Sequence, residues 1–198
     1  MANWCMTSFA VECEDKQKLQ RICDAIAKCN KGELKNYEGC KSWTGNIFNV
    51  LGLEYDYDRC FWHEAYIEGG VLYISEESAW CRGTSMRQLI GQLNNPEEPD
   101  NDLIVYFQSE EPGCEIYETN DGEGGYFSSR YVFDEYQDGE EYYSTFEELC
   151  NDVNNFLNEK NDFKDFDAVK ERLDKYNEES EDYDRWAYVH EFDTEASL

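Results

Sequence analysis

Cys60 and His63, which only two residues separate, are the side chains whose types and spacing most resemble a metal site. That spacing suits zinc, but a structural zinc site takes four ligands, and the sequence has no CxxC or HxxxH pair to complete the set. The only other histidine, His190, is distant along the chain. We therefore predict a buried thiol beside a surface histidine, with no metal and no cofactor.

Nucleophilic catalysis would need a cysteine or serine beside a histidine that a carboxylate orients. Only a pairing of a cysteine with His63 can be assembled, and the chain has no GxSxG motif. Glu110 and Glu111 could divide general acid and base roles, but a pair carries little information among 45 acidic residues. The sequence favours a protein that is not an enzyme; the enzymatic alternative requires an organised cleft around Cys60 and His63.

A glycine cluster at residues 122–125 has the composition of a phosphate-binding loop but the wrong surroundings. Such loops need backbone amides beside a lysine or a helix N-terminus. The nearest bases are Arg87 and Arg130, and ten carboxylates lie between them. The cluster is therefore predicted to be a turn, and direct binding of nucleic acid is disfavoured because phosphate contacts depend on Lys and Arg.

The strongest signal is charge. Residues 88–159 hold 19 acids and one base, Arg130, and so carry −18 of the net charge of −28. A field this negative favours cationic partners and repels nucleic acid and membranes. The acids alternate with Tyr, Phe and Gly on predicted strands and turns. The candidate partner-binding residues are Glu110, Glu111, Glu115, Glu118, Asp121, Glu123, Asp134, Glu135, Asp138, Glu140 and Glu141, with Tyr126, Tyr131, Tyr136, Tyr142 and Tyr143 as added contact area.

Composition indicates what must hold these acids in place. The chain is 40% hydrophobic, and 31 of its 198 residues are aromatic, which is typical of a folded protein rather than a disordered acidic tail. Nine scattered cysteines predict reduced thiols and a cytoplasmic location. The sequence shows neither an export signal nor a run apolar enough to span a membrane.

Hydrophobic periodicity predicts the elements of the first half. Residues 4–11 read as a strand, and Asp15 caps a helix with apolar residues at helical spacing. Strands are predicted at 46–53, 60–67 and 71–74, with Gly69 and Gly70 as the last turn. A short helix begins near Ser85. The apolar run 103–107 predicts a strand in the middle of a sheet with both faces covered.

In the second half, residues 115–119 and 126–133 are predicted to form a hairpin. Ser144 and Glu147 read as a capping box before an amphipathic helix. A second helix is predicted from about Asp162 and a last strand at 186–189. The pattern predicts an α+β fold in which helices pack on one face of a mainly antiparallel sheet, with a domain at 1–143 and a two-helix extension at 144–198 packed on it.

Short motifs carry a resemblance to a known family. Met1-Ala2-Asn3-Trp4-Cys5 precedes a strand and a helix, and Ser78-Ala79-Trp80 and Ser109-Glu110-Glu111-Pro112-Gly113 flank the next helix and strand. These residues resemble the YubB-like family of phages and other mobile elements over about residues 1–133. The chain departs from that pattern at Cys81-Arg82-Gly83. The resemblance implies a ferredoxin-like fold and a mobile-element origin, and supplies no activity or catalytic residues.

Together these observations lead to one main hypothesis. The chain would be a non-enzymatic acidic protein of a phage or mobile element whose rigid negative face blocks a basic nucleic-acid-binding host protein, as an anti-restriction or anti-CRISPR mimic of nucleic acid does. One alternative is an immunity-type inhibitor of a basic toxin nuclease. The other is a soluble protein whose acids only maintain solubility.

Overall fold

The computed structural model describes residues 4–33, 40–56, 58–79, 83–136, 139–180 and 186–198. The chain divides into two compact units. Unit 1 comprises Met1–Gly122 and Thr194–Leu198, and unit 2 comprises Glu123–Asp193. The fold is α+β, as the sequence predicts, with a five-stranded antiparallel sheet, a three-stranded sheet and five α-helices in the described ranges. No helix of these ranges is both long and apolar enough to cross a bilayer.

Unit 1 is built on the five-stranded sheet. Its order is β2-β3-β1-β4-β5, and each neighbouring pair is antiparallel, so the first strand of the chain lies at the centre. Along the chain, its elements are β1 (Trp4–Glu12), α1 (Lys16–Asn30), α2 (Thr44–Leu51), β2 (Cys60–Glu68), β3 (Val71–Ala79), α3 (Thr84–Leu93), β4 (Ile104–Glu111) and β5 (Ile116–Thr119).

Local sequence signals account for the start of unit 1. The Asp15 carboxylate accepts hydrogen bonds from the backbone N–H groups of Gln17 and Lys18 at 2.9 and 3.1 Å, which satisfies two donors at the start of α1. Gly69 and Gly70 have φ of 60° and 84°, the left-handed conformation that the tight β2–β3 turn requires. The predicted helix cap and the predicted turn are both confirmed.

The core of unit 1 lies on one face of the sheet. Alternate strand residues such as Phe9, Ile74 and Phe107 are buried there with Ile22 of α1 and Leu89 of α3. Because neighbouring residues of a strand point to opposite faces, the residues between them form a second face. We call the face of the core the inner face and the other one the outer face.

Unit 2 contains β6 (Tyr131–Glu135), β7 (Gly139–Tyr143), α4 (Phe146–Leu157), α5 (Phe166–Glu179) and β8 (Ala187–Glu191). Its sheet has the order β7-β6-β8, and both pairs are antiparallel. Phe133 and Val189 of the sheet share a buried core with Leu149 of α4 and Leu173 of α5. The two predicted C-terminal helices therefore pack with the last three strands of the chain.

Two local predictions are wrong. Residues 46–53 were predicted as a strand, but Thr44–Leu51 is the helix α2, because Ile47, Phe48 and Leu51 bury one helical face and Gly52, with φ of 75°, ends the helix. The capping box of α4 begins one residue later than predicted. Thr145 is its N-cap, and Glu148 completes it.

The predicted hairpin around the glycine cluster is also wrong. Strand β5 pairs with β4, whereas β6 pairs with β7 and β8. Side chains explain the separation: Thr119 Oγ1 donates to the Phe107 carbonyl at 2.6 Å, and Asn120 Nδ2 donates to the Val105 carbonyl at 2.8 Å, so the chain after β5 stays attached to β4. Nor is β4 covered on both faces, since Ile104 is 54% exposed.

Candidate partner-binding surface

In unit 1, charge is segregated between the strands and the first helix. None of the eight described strands contains a lysine or arginine, and together they hold thirteen acidic residues. Helix α1 of unit 1 has the opposite character, since it carries four bases, Lys16, Lys18, Arg21 and Lys28, and one acid, Asp24. Unit 1 therefore combines an acidic sheet with a basic helix.

Five of the acids lie on the outer face of unit 1. Strand register places them there, because cross-strand partners share a face: Met6 lies opposite both Glu77 of β3 and Glu110 of β4. Neighbouring strands are about 4.8 Å apart, so the backbone positions of those two acids are roughly 10 Å apart, on either side of Met6. The five outer-face acids are Glu12, Glu64, Glu68, Glu77 and Glu110.

The same face carries exposed apolar and aromatic side chains. Met6, Tyr66 and Ile104 are 45%, 53% and 54% exposed. Tyr66 and Tyr73 are cross-strand partners whose rings stack with centroids 5.1 Å apart and an interplanar angle of 16°. At the β5 end of the face, Tyr117 and Thr119 are buried. Exposed aromatic rings and methionine are enriched in surfaces that contact another protein.

The outer-face acids of unit 1 are all separated from one another by neutral residues. Glu64 lies opposite Ser75, Glu68 opposite Val71, and Glu12 opposite Ile104. Like charges that face each other directly across a sheet repel. The arrangement in unit 1 avoids that repulsion while five acids share one face.

Unit 2 has a smaller acidic face on the side of its sheet away from α4 and α5. There Asp134 lies directly opposite Glu140. Burial, and next the charge of Glu140, raise the pKa of the Asp134 carboxyl, while His190 acts in the opposite direction. Tyr142 donates a hydrogen bond to Glu140 at 2.9 Å, and Tyr142 and Tyr188 are each 41% exposed.

The predicted partner-binding acids are divided between the units. In unit 1, Glu110 is on the outer face, Glu115 is exposed after β4, and Glu118 is half-buried on the inner side. Glu111 and Asp121 are each only 4% exposed, so their carboxylates have little surface to offer a partner. We leave those two out of the candidate surface.

In unit 2, Asp134 and Glu140 share the acidic face, and Glu123 is exposed before the sheet begins. Glu135 and Glu141 alternate with them and so lie on the helix side. Asp138 is outside the described residues.

The predicted tyrosines divide in the same way. Tyr136 and Tyr142 are exposed, whereas Tyr131 and Tyr143 pack against the helical core and Tyr126 is half-buried. Tyr143 donates to Glu141 at 2.9 Å and also bonds to Asp152. Burial and these carboxylates raise the pKa of Tyr143.

Sequence reasoning missed four of the five outer-face acids. Glu12, Glu64, Glu68 and Glu77 lie before the acidic segment at 88–159, in parts of the chain with a moderate net charge. One signal was visible in β2, where Glu64, Tyr66 and Glu68 alternate with Ala65 and Ile67 at the two-residue period of a half-exposed strand.

The structure does not bring Cys60 and His63 together. The Cys60 thiol is buried on the inner face, donates to Ser85 Oγ at 3.3 Å, and has a pKa raised by burial and then by Glu76. His63 is exposed at an irregularity of β2 and bonds Glu77 of the outer face at 3.1 Å. Within the described ranges, no group of three or more His, Cys, Asp or Glu side chains is placed to hold a metal ion.

Glu76, unlike its neighbour Glu77, is fully buried on the inner face. Its carboxylate accepts hydrogen bonds from Trp62 Nε1 at 2.8 Å, from the backbone N–H of Gly83 at 3.1 Å and from the Ser85 hydroxyl. Gly83 and Ser85 lie at the start of α3, so this carboxylate joins α3 to the sheet. We assign Glu76 a structural role.

No family model, curated protein or solved structure matches this chain. The candidate surface therefore depends on geometry: acids and aromatic rings at fixed register positions, on strands without a single lysine or arginine.

Proposed function

We propose that this chain is a non-enzymatic acidic binding protein of a phage or mobile element. It presents a rigid negative face to a basic nucleic-acid-binding protein in the cytoplasm of the host, and so blocks that protein as a nucleic-acid mimic of the anti-restriction or anti-CRISPR type. The observation that carries the proposal is the segregation of charge in unit 1, where the strands have no base and α1 has four.

The physical basis is exchange of one polyanion for another. A groove that holds phosphates through Lys and Arg can accept carboxylates at fixed spacing, because it again releases its bound anions and gains charge-assisted hydrogen bonds. Same-face residues of a strand are roughly 6.6 Å apart, and neighbouring strands about 4.8 Å apart. Register places each outer-face acid of unit 1 roughly 8–10 Å from its nearest acidic neighbour on that face, with neutral residues between them.

Charge segregation also favours this function over a merely solubilising surface. Solubility needs net charge, and surfaces that serve it intersperse both signs. Concentration of one sign on a sheet face with exposed Met6, Tyr66 and Ile104 gives a directional field and an apolar contact area together.

We also propose that unit 1 is a ferredoxin-like domain, as the resemblance to the YubB-like family implies. The order of elements β1-α1-β2-β3-α3-β4 and the sheet order β2-β3-β1-β4 support it, with α2 and β5 as additions. In such a layer, helices occupy one face, which leaves the other available for a partner.

The test compares two variants of equal net charge. The first is E64Q/E77Q/E110Q on the outer face, and the matched control is E147Q/E171Q/E178Q on the exposed sides of α4 and α5. Affinity capture from host lysate at low and raised salt is followed by identification of DNA- and RNA-handling proteins and by competition with duplex DNA.

The wild type and the control should retain the same nucleic-acid-handling protein, lose it at raised salt, and release it to DNA. The outer-face variant should bind it more weakly, by about 0.2–1 kcal/mol for each carboxylate removed. Equal loss in both triple variants would mean that only net charge matters. A partner insensitive to salt and to DNA would contradict the proposal.

A further inference from the structure

The stacked pair Tyr66–Tyr73 is the best-defined aromatic feature of the outer face. Tyr66 is on β2, an edge strand of the sheet, and is 53% exposed. Glu64 and Glu68 lie two positions before and after it on the same face, each roughly 6.6 Å away along the strand. An exposed ring is therefore flanked by a carboxylate on either side.

This combination matches the chemistry of one basic side chain better than the other. A guanidinium is flat and weakly hydrated, stacks on aromatic rings, and pairs with carboxylates through two parallel hydrogen bonds. A lysine ammonium is compact and strongly hydrated, so it gains less from a ring. The face already shows the interaction once, since Arg59 lies over the Trp4 ring, 5.4 Å from its centroid.

Aromatic residues on an open sheet also bind RNA in some proteins, where successive bases stack on them. That binding gains most of its strength from Lys and Arg contacts to phosphates. The described strands of unit 1 contain no such residue, and five carboxylates share the face with the rings. Charge therefore favours a basic protein as the occupant over a nucleic acid.

We propose that the outer face of unit 1 docks an arginine-rich protein surface, and that Tyr66, stacked on Tyr73 and flanked by Glu64 and Glu68, contacts an arginine side chain. This inference rests on the proposed function, since it identifies the face and the partner side chain that the blocking interaction uses. It moves the contact away from the acidic segment at 88–159 toward strands β2 and β3.

The test uses nona-arginine and nona-lysine peptides as defined probes. Titration of the full chain, followed by backbone amide NMR, gives both the affinity and the strands that respond. The arginine peptide should bind about two- to five-fold more tightly than the lysine peptide, the range expected for an exposed cation–π contact. Amide shifts should concentrate on β1, β2 and β3.

Tyr66→Ala should remove the preference for the arginine peptide and leave the affinity for the lysine peptide unchanged. Tyr66→Phe retains the aromatic ring and should therefore retain the preference for the arginine peptide. The matched control is Tyr188→Ala, which removes an exposed tyrosine beside the acidic face of unit 2 and should leave the preference intact. The amide spectrum of each variant verifies folding.

The possible failures are distinguishable. An unchanged preference in Tyr66→Ala, or amide shifts confined to β6, β7 and β8, would overturn this inference and leave the proposed function standing. Failure to bind either peptide at low salt would overturn both. Saturable binding of oligouridine to β1, β2 and β3 would contradict a basic protein as the partner and identify single-stranded RNA as the ligand of this face.

Discussion

The two sheets of this protein arrange their acidic residues differently. In the five-stranded sheet of unit 1, every acid that has a cross-strand partner lies opposite a neutral residue, such as Glu64 opposite Ser75. In the three-stranded sheet of unit 2, Asp134 lies directly opposite Glu140. Both sheets lack lysine and arginine in the described strands, so the difference is one of placement rather than of composition.

Placement decides how readily an acidic side chain ionises. Two carboxylates that face each other oppose ionisation, and the raised pKa of Asp134 reflects this together with burial. Acids set among serine, valine and methionine avoid direct repulsion, so a sheet can carry many of them. The outer face of unit 1 carries five acids, whereas the acidic sheet face of unit 2 carries two, Asp134 and Glu140.

Within unit 1, the buried Glu76 depends on its hydrogen-bond donors, and Glu76→Gln is the substitution with the largest expected effect. The amide retains one acceptor oxygen and turns an NH₂ group toward the remaining donors from Trp62, Gly83 and Ser85. Leaving buried donors without an acceptor should lower the free energy of unfolding by about 1.5–3 kcal/mol. Urea denaturation monitored by tryptophan fluorescence measures the loss.

Glu77→Gln is the matched control one residue along the strand. Glu77 faces outward, with a side chain that is 33% exposed, so the change should alter stability by less than about 0.5 kcal/mol. Equal effects of the two substitutions would contradict the separation of inner from outer acids.

Ser75→Glu would give unit 1 the arrangement of unit 2, because it places a second carboxylate opposite Glu64. It also removes the hydroxyl that accepts a hydrogen bond from the Glu64 N–H at 3.2 Å. We expect destabilisation of about 1 kcal/mol at low salt, at the upper end for a cross-strand pair. Denaturation at low and high salt separates the charge repulsion from the loss of the hydrogen bond, because salt screens only the repulsion.

The neutral control is Ser75→Gln, which loses the same hydroxyl without adding charge. Ser75→Glu should be less stable than Ser75→Gln at low salt, and the gap should narrow at high salt. A gap that salt does not change would contradict repulsion across β2 and β3.

The sequence predicts much of the local structure of these sheets and little of their pairing. The Asp15 cap, the Gly69–Gly70 turn and the short helix near Ser85 follow from local residues, and they are confirmed. The hairpin at 115–133 fails because Thr119 and Asn120 bind β4, a contact outside the local pattern. Pairing between distant strands depends on the whole fold, which a local pattern does not encode.

The candidate surface shows the same division. Glu110 was a candidate from sequence, but Glu12, Glu64, Glu68 and Glu77 become its neighbours only through strand register. Conversely, Glu111 was also a candidate from sequence, although successive strand residues point to opposite faces and Glu111 is buried. A count of charge along the chain averages over the two faces, so it cannot distinguish acids that a partner can reach from acids that it cannot.

The acid pair of unit 2 can be removed by Glu140→Gln, which should have the smallest effect on stability. The pKa of Asp134 should fall and stay above its ordinary value, because burial is the larger cause of its rise. Since the folded pKa exceeds the unfolded one, the native state binds the proton more tightly, and wild-type unit 2 loses stability as pH rises through that interval. Glu140→Gln should lose less stability over that pH range. Near neutral pH its free energy of unfolding should exceed that of the wild type by roughly a few tenths of a kcal/mol. This lies low in the range of about 0.2–1 kcal/mol for a cross-strand pair, because solvent screens both groups.

Carboxyl NMR titration of Asp134 measures this shift directly, and Glu141→Gln is the control from the same strand. Glu141 lies on the helix side of the sheet, where it accepts a hydrogen bond from Tyr143 and contributes to the raised pKa of that hydroxyl. Removal of the Glu141 carboxylate should lower the pKa of Tyr143 and leave the pKa of Asp134 unchanged. Each of the two substitutions therefore shifts the pKa of a different group. If Asp134 titrates identically in the wild type and in Glu140→Gln, burial alone raises its pKa, and the contrast between the two sheets loses its electrostatic basis.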